Sequence, residues 1–278
     1  MIDDQLRTEV LEWIKNDPDK NTADQLNKWL AEGNEKELKR CFSGFLQFGT
    51  AGLRGPVGPG PSCMNRAVVS RTASGIVAFM KKNNLSSVVI GKDARHGSDE
   101  FAQDSAEIFS GAGIKTYVLP RAFPTPVLAF AVNKLKVDVG IMVTASHNPA
   151  SYNGIKLCKS GARPIGKESG LVWIRNAIAD GMPISNRPVG TETSRDMLQE
   201  YVEYLFSLFT HDFGTGRNLK IAIDAGNGMA GHTAPAVMSR ISAEVSPIYF
   251  ELDGSFPNHE ANPIAPENLV DLQRLVKK

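Results

Sequence analysis

Cysteine, net charge and long apolar runs are what this chain of 278 residues has least of. Its three cysteines, Cys41, Cys63 and Cys158, are odd in number and show no CxxC spacing, so they suggest neither a disulfide framework nor a zinc site and fit a reducing compartment. Lysine plus arginine total 31 against 30 aspartate plus glutamate, and a formal charge of +1 provides no long-range field for nucleic acid or an anionic membrane. No apolar run approaches the roughly 18 residues that span a bilayer, and Met1 to Lys20 is polar and acidic with no signal-type apolar core. The expectation is a cytoplasmic protein with neither nucleic acid nor membrane as partner; nothing in the residues fixes an oligomeric state. With 42% hydrophobic and 22% charged residues, the chain has the composition of a globular protein of one to two domains with a sizeable core.

The periodicity of apolar residues divides the chain into three stretches. Residues 1–45 read as a short helical N-terminal extension, with Val10, Leu11 and Ile14 on one stripe and Thr22 with Gln25 as a capping box. Residues 46–190 alternate helices and strands. A helix carrying Val68, Val69, Thr72, Ile76 and Phe79 leads to a strand at Ser87–Gly91, and a helix capped by Ser98 and stopped at Gly113 leads to Lys115–Leu119. A helix from Pro126 leads to Val137–Val143, and an alternating strand follows at Asn153–Cys158. Strands separated by helical stretches need crossovers, so the fold class is α/β, a three-layer α/β/α domain with a mostly parallel mixed sheet. A helix at Met197–Phe209 and the polar stretch 211–218 precede strand 219–224, helix 231–242, strand 245–250 and a last helix after Pro266. Residues 191–278 thus read as the first part of a second α/β domain, incomplete because two strands make a poor sheet.

Two loops carry candidate chemistry. Phe48 to Ser62, FGTAGLRGPVGPGPS, is too rich in glycine and proline for regular structure and leaves backbone N–H groups free to face a ligand; an ordinary connector would read the same way. Thr144-Ala-Ser-His-Asn-Pro149 directly follows a buried-type strand, where parallel α/β sheets place ligands. A serine there, beside a histidine and an asparagine, has the makings of an activated or phosphorylated hydroxyl, and an Asn-Pro turn with a capping serine would leave the same residues.

GIMVTASHNPASYNGIK, with FGTAGLRG upstream and IAIDAGNGMAG downstream, resembles the α-D-phosphohexomutase superfamily from about residue 45 onward. The resemblance implies a phosphosugar mutase, an isomerase that moves phosphate within hexose phosphates through a phosphoserine and a bisphosphate intermediate. It makes Ser146 the phosphate carrier, Lys156 a general acid/base, Arg54 a phosphate clamp and His147 a secondary proton relay, with Thr50, Arg54 and Asn148 contacting substrate. A phosphoserine of about −1.5 to −2 charge needs cationic partners, which Arg54 and Lys156 supply. Arg95, in GKDARHGS, matches a loop packed near the site and reads as a scaffold ion pair. The resemblance also implies Mg²⁺, held in part by the phosphate on Ser146, and a sugar bisphosphate as phosphorylating activator. The remaining metal ligands, a D-x-D-x-D cluster, do not occur in 1–278, so the chain is expected to lack efficient turnover. Up to about residue 150 it is most similar to the branch that includes phosphopentomutases, and beyond that to bacterial phosphomannomutases, so glucose, mannose and pentose phosphates stay open.

Two other phosphate-loop patterns occur. Gly161 to Lys167 begins like a Walker A loop, but Glu168 stands where the Mg²⁺-binding hydroxyl belongs. Gly226, Gly228 and Gly231, with Glu251 twenty residues on, satisfy a dinucleotide fingerprint and support an alternative, an NAD-dependent oxidoreductase, against which Asp224 would repel a pyrophosphate. A third reading is a non-catalytic sugar-phosphate-binding fragment.

Overall fold

A computed structural model of the chain describes residues 2–49, 52–179, 190–210 and 219–277. Thr50 and the polar stretch 211–218 lie outside the described residues. Helices α1 (Asp4–Asn16), α2 (Lys20–Glu32) and α3 (Glu35–Cys41) open the chain, each begun by a side-chain oxygen, from Asp3, Asp19 and Asn34, that accepts first-turn amides. The capping box expected at Thr22 is therefore not the start of α2: Thr22 already lies in its first turn and donates its hydroxyl to Asp17 Oδ2 (2.8 Å). Val10, Leu26 and Leu38 form the core of these helices, and Trp13 joins it to the core of the next unit.

That unit is built from β1 (Phe48–Gly49), β2 (Gly52–Pro56), α4 (Arg66–Lys82), β3 (Ser87–Lys92), α5 (Ser98–Gly111), β4 (Lys115–Ala122), α6 (Thr125–Leu135), β5 (Val139–Val143), β6 (Tyr152–Lys159), β7 (Arg163–Pro164), α7 (Val172–Ala179) and β8 (Glu192–Ser194). The strands run β1-β2-β6-β5-β3-β4-β8 across one mixed sheet, with β7 against the end of β6. β5, β3, β4 and β8 are parallel, while β6 turns back antiparallel to both β5 and β2. All five residues of β5 are buried, as expected of a central strand covered on both faces. One core, including Val69, Ile76, Phe109, Ile141 and Ile155, lies under α4, α5 and α7; the other, including Val89, Leu128 and Met142, lies under α6. The α/β class and the layered mixed sheet are as expected.

Local boundaries differ for identifiable reasons. Ser98 is the first helical residue rather than the cap, because Gly97 (φ 79°) makes the turn and Ser98 Oγ donates instead to Asp93 Oδ1 (2.8 Å). β8 lies past the boundary expected near residue 190 yet pairs with β4, so the first sheet extends to Ser194. Beyond it, α8 (Leu198–Ser207), β9 (Leu219–Asp224), α9 (Ala230–Met238), β10 (Ala243–Ile248) and α10 (Val270–Val276) follow, with β9 and β10 a parallel pair in which no residue is fully buried.

Gly154, in β6, is closely approached by backbone from both sides. A Cβ there would lie 2.3 Å from the Leu53 carbonyl oxygen and 3.1 Å from that of Thr144. Gly154→Ala is expected to cost about 2–4 kcal/mol in urea denaturation, since backbone rather than a flexible side chain must give way. Gly166→Ala, whose Cβ would meet nothing closer than 3.9 Å, serves as the neutral control.

Candidate active site

The antiparallel return of the chain after β5 is what assembles the site. Register pairs Met142 with Lys156 and Arg54 with Gly154, and residues 154 and 156 share one face, so Arg54, Met142 and Lys156 emerge together on the α6 side of the sheet. Residues 144–151 form the loop between β5 and β6. Thr144 N donates to the Gly154 carbonyl (2.8 Å), and Ser146 N donates to Thr144 Oγ1 (2.9 Å).

Ser146 sits in the left-handed region (φ 59°), a conformation that costs a serine on the order of 1 kcal/mol and needs outside support. The support is Arg95, whose side chain is 1% exposed. Its Nη1 donates to the carbonyls of Pro149 (2.8 Å) and Tyr152 (3.0 Å), and its Nη2 to those of Ser146 (2.9 Å) and Asn148 (2.7 Å). Asp93 completes the fixture: Oδ2 lies 3.3 Å from Arg95 Nε, while Oδ1 accepts from Arg95 N and Ser98 Oγ. The expected scaffold role of Arg95 is thus met mainly through four main-chain acceptors. Asn153, fully buried, ties β6 to the same corner by donating to the His96 carbonyl (3.0 Å) and Ser98 Oγ (2.9 Å).

Held in this way, Ser146 Oγ is buried and makes no hydrogen bond, although Ser146 lines a cavity of about 460 Å³. Lys156, His147, Thr144 and Arg95 share that cavity with Pro124, Thr125 and Pro126, so the N-terminus of α6 adds its partial positive charge to one wall. Burial, reinforced by the nearby Arg54 cation, lowers the pKa of Lys156 below the ordinary lysine value. Arg54 lines an adjoining cavity of about 390 Å³ whose walls include Thr125, Met142 and Lys156, because β2 lies one strand farther out than β6. His147 is exposed, and its Nδ1 lies 3.0 Å from the Ala261 carbonyl. Asn148 contributes its backbone to the loop and is not among the described residues that line the cavity.

The opposite wall was not foreseen. Asp224, the last residue of β9, faces the cavity with His259 and Glu260. Asp224 Oδ1 accepts from Gly226 N (2.8 Å) and lies 3.2 Å from His259 Nε2, while its buried Oδ2 makes no hydrogen bond. Burial lowers the pKa of His259, but the Glu260 carbonyl and the Asp224 carboxylate outweigh it and leave the imidazole above its usual value. A carboxylate at a strand end before a glycine-rich turn was the available signal. One of these contacts also disfavours the dinucleotide reading: Asp224 occupies the Gly226 amide that would face a pyrophosphate.

Mg²⁺ would find only part of its shell here: among the described residues no group of three or more His, Cys, Asp or Glu side chains is placed to hold a metal, and the charged side chains lining the cavity are of both signs, Arg95 and Lys156 with Asp93, Asp224 and Glu260.

Sequence models of the phosphoglucomutase/phosphomannomutase family match residues 46–182 (α/β/α domain I) and 199–278 (α/β/α domain II). The chain is 38% identical to a human phosphopentomutase over 165 residues, which is 56% of this chain and 27% of that one. It is 34% identical to a Vibrio cholerae phosphomannomutase over 251 residues, covering 87% of this chain and 51% of that one. A phosphoglucomutase/phosphomannomutase family protein from Burkholderia thailandensis superposes with a TM-score of 0.69 at 28% identity, over 82% of this chain and 49% of that one. The chain therefore spans about a quarter to a half of the length of the curated relatives it matches.

Arg95→Lys keeps the charge, but one ammonium cannot span four carbonyls. The expected loss is about 3 kcal/mol in urea, two charge-assisted bonds at about 1.5 each, with faster amide exchange at Asn148 and Tyr152. Unchanged exchange at both amides would remove the clamp from the account of the loop.

Proposed function

We propose that this chain, which belongs to the phosphoglucomutase/phosphomannomutase family, carries on Ser146 the transferable phosphate of a phosphosugar mutase. The observation that carries the reading is the Ser146 oxygen: buried, without a hydrogen bond, on a left-handed residue at the wall of a cavity that also holds Lys156. An unsatisfied buried hydroxyl costs free energy unless something uses it, and its attachment to phosphate would bring charge to a wall already made positive by Lys156, Arg95 and the α6 N-terminus.

In the transfer, the bond between Ser146 Oγ and phosphorus breaks as a bond from phosphorus to a sugar hydroxyl oxygen forms. Lys156, as the neutral amine, takes the proton of that hydroxyl and returns it from the ammonium to Oγ. The bisphosphate so formed turns round and gives its other phosphate back to Ser146 by the reverse proton movement. Arg54 steadies phosphate oxygens from the adjoining cavity, and His147 orients the loop side of the anion. Thr50 and Asn148 stay as proposed substrate contacts, and the substrates are hexose phosphates, with pentose phosphates as the variant. A phosphate on Ser146 would offer one oxygen to Mg²⁺, whose remaining ligands would come from outside the described residues.

Intact mass and phosphopeptide mapping after incubation with a hexose bisphosphate should find one phosphate on Ser146, and none in Ser146→Ala. Phosphate that survives the substitution, or that maps elsewhere, sinks the assignment, and a wild-type chain that binds bisphosphate without a mass change is a sugar-phosphate-binding protein instead. The sign of the pH dependence follows from Lys156. Only the amine accepts the proton, and burial lowers its pKa, so the transfer rate should rise with pH through a midpoint below the ordinary lysine value of about 10.4. Lys156→Arg, always protonated, should lose that rise along with most of the rate.

A further inference from the structure

Cysteines that sequence spacing leaves isolated do not stay apart in the fold. Cys41 ends α3 and Cys63 lies in the loop between β2 and α4, and their Sγ atoms are 3.9 Å apart. Both are buried, at 0% and 1% exposure. Backbone contacts hold them there. Ser62 N donates to the Cys41 carbonyl (3.0 Å), and Gly60 (φ 83°) approaches so closely that a Cβ would lie 2.7 Å from the same oxygen. Asn65, the cap of α4, fixes the Cys63 side by donating to the carbonyls of Gly58 (2.9 Å) and Gly60 (2.8 Å).

The two thiols are not equivalent. Arg40 Nη1 lies 3.8 Å from Cys63 Sγ and is itself paired with Glu37. The hydrogen bond shared with Cys41, helped by Arg40 and opposed by burial, holds Cys63 below the ordinary thiol value. The same hydrogen bond, together with burial, pushes Cys41 up. A thiolate-prone sulfur beside a protonated one is the arrangement of an attacking and a resolving thiol.

We propose that Cys41 and Cys63 form an oxidation site that closes reversibly into an intramolecular disulfide. With hydrogen peroxide as oxidant, the Cys63 thiolate attacks one peroxide oxygen, the O–O bond breaks, and the departing hydroxide takes a proton to leave as water. The Cys41 sulfur then attacks the resulting sulfenic sulfur; the S–O bond breaks and the hydroxide leaves as a second water with the thiol proton. Two thiols lose two electrons and two protons, and one peroxide becomes two waters; a dithiol reductant reverses the change. The closed segment, residues 41–63, contains β1 and β2 and therefore Arg54, so oxidation staples the N-terminal helices to the base of the strand that carries this arginine. Peroxide reaches the pair by local opening of the exposed turn at residues 43–45, just after Cys41.

The test uses the folded full chain, treated with hydrogen peroxide, alkylated, and digested without reduction. The expected product is a peptide linking Cys41 to Cys63, an intact mass lower by two hydrogens, and recovery of both thiols with dithiothreitol. Proximity should make the link about tenfold more abundant in the native chain than in the same chain unfolded in urea. Cys158, whose thiol burial pushes up to about 11, should stay reduced. Cys41→Ser should leave a dimedone-trappable sulfenic acid on Cys63, and Cys63→Ser should leave Cys41 unreacted. Both thiols remaining free under peroxide, a link to Cys158, or a link that forms only in urea would each overturn the proposal.

Discussion

One guanidinium sets the geometry of everything around the cavity. Arg95 gives its terminal N–H groups to four carbonyls of the loop between β5 and β6 while Asp93 anchors it from behind. Charge-assisted hydrogen bonds of this kind are the strong ones, and the planar fork distributes them with fixed angles. Without them a serine at φ 59° would relax, and the oxygen it presents would turn to water or to the backbone. Burial holds the pKa of Arg95 below the ordinary arginine value, but the group stays cationic throughout physiological pH, so the clamp does not open with pH.

The clamp also explains why the two halves of the cavity meet where they do. Gly254 approaches so closely that a Cβ would lie 2.4 Å from the Ala94 carbonyl, and the Phe256 ring stands 5.0 Å from the Arg95 guanidinium carbon. His96 and Ser255 are 3.1 Å apart at the same seam. The loop that positions Ser146 therefore also seats the segment that carries His259 and Glu260 to the far wall.

Much of this was legible in the residues. The strand read at Val137–Val143 is present as β5, Val139–Val143, with every residue buried, and Val69 and Ile76, read on one helical stripe, point into the core. The loop after β5 stood out because it combined a strand end with Ser, His and Asn. What could not be read was anything that depends on strand pairing. Spacing alone does not say that β6 runs antiparallel between β5 and β2, and that pairing puts Lys156 and Arg54 on one face but on two adjoining cavities. Nor does spacing bring Cys41 to Cys63 or Asp224 across from Ser146, since each contact is made by chain segments whose separation in sequence carries no period. Arg95 illustrates the middle case: its residue type and place after a strand suggested an ion pair, whereas acceptors of main-chain type leave no mark in a sequence.

A fixture that grips only main-chain oxygens is indifferent to the side chains it passes. The backbone path from Ser146 to Tyr152 is specified by Arg95 and Asp93 and by the residue-free geometry of peptide carbonyls. The clamp itself makes no demand on the side chains at 148 and 151, whereas His147 reaches the Ala261 carbonyl. Chemistry and shape are thereby inherited separately in this loop, and new ligand preferences can be tried at its rim while the reacting oxygen stays put.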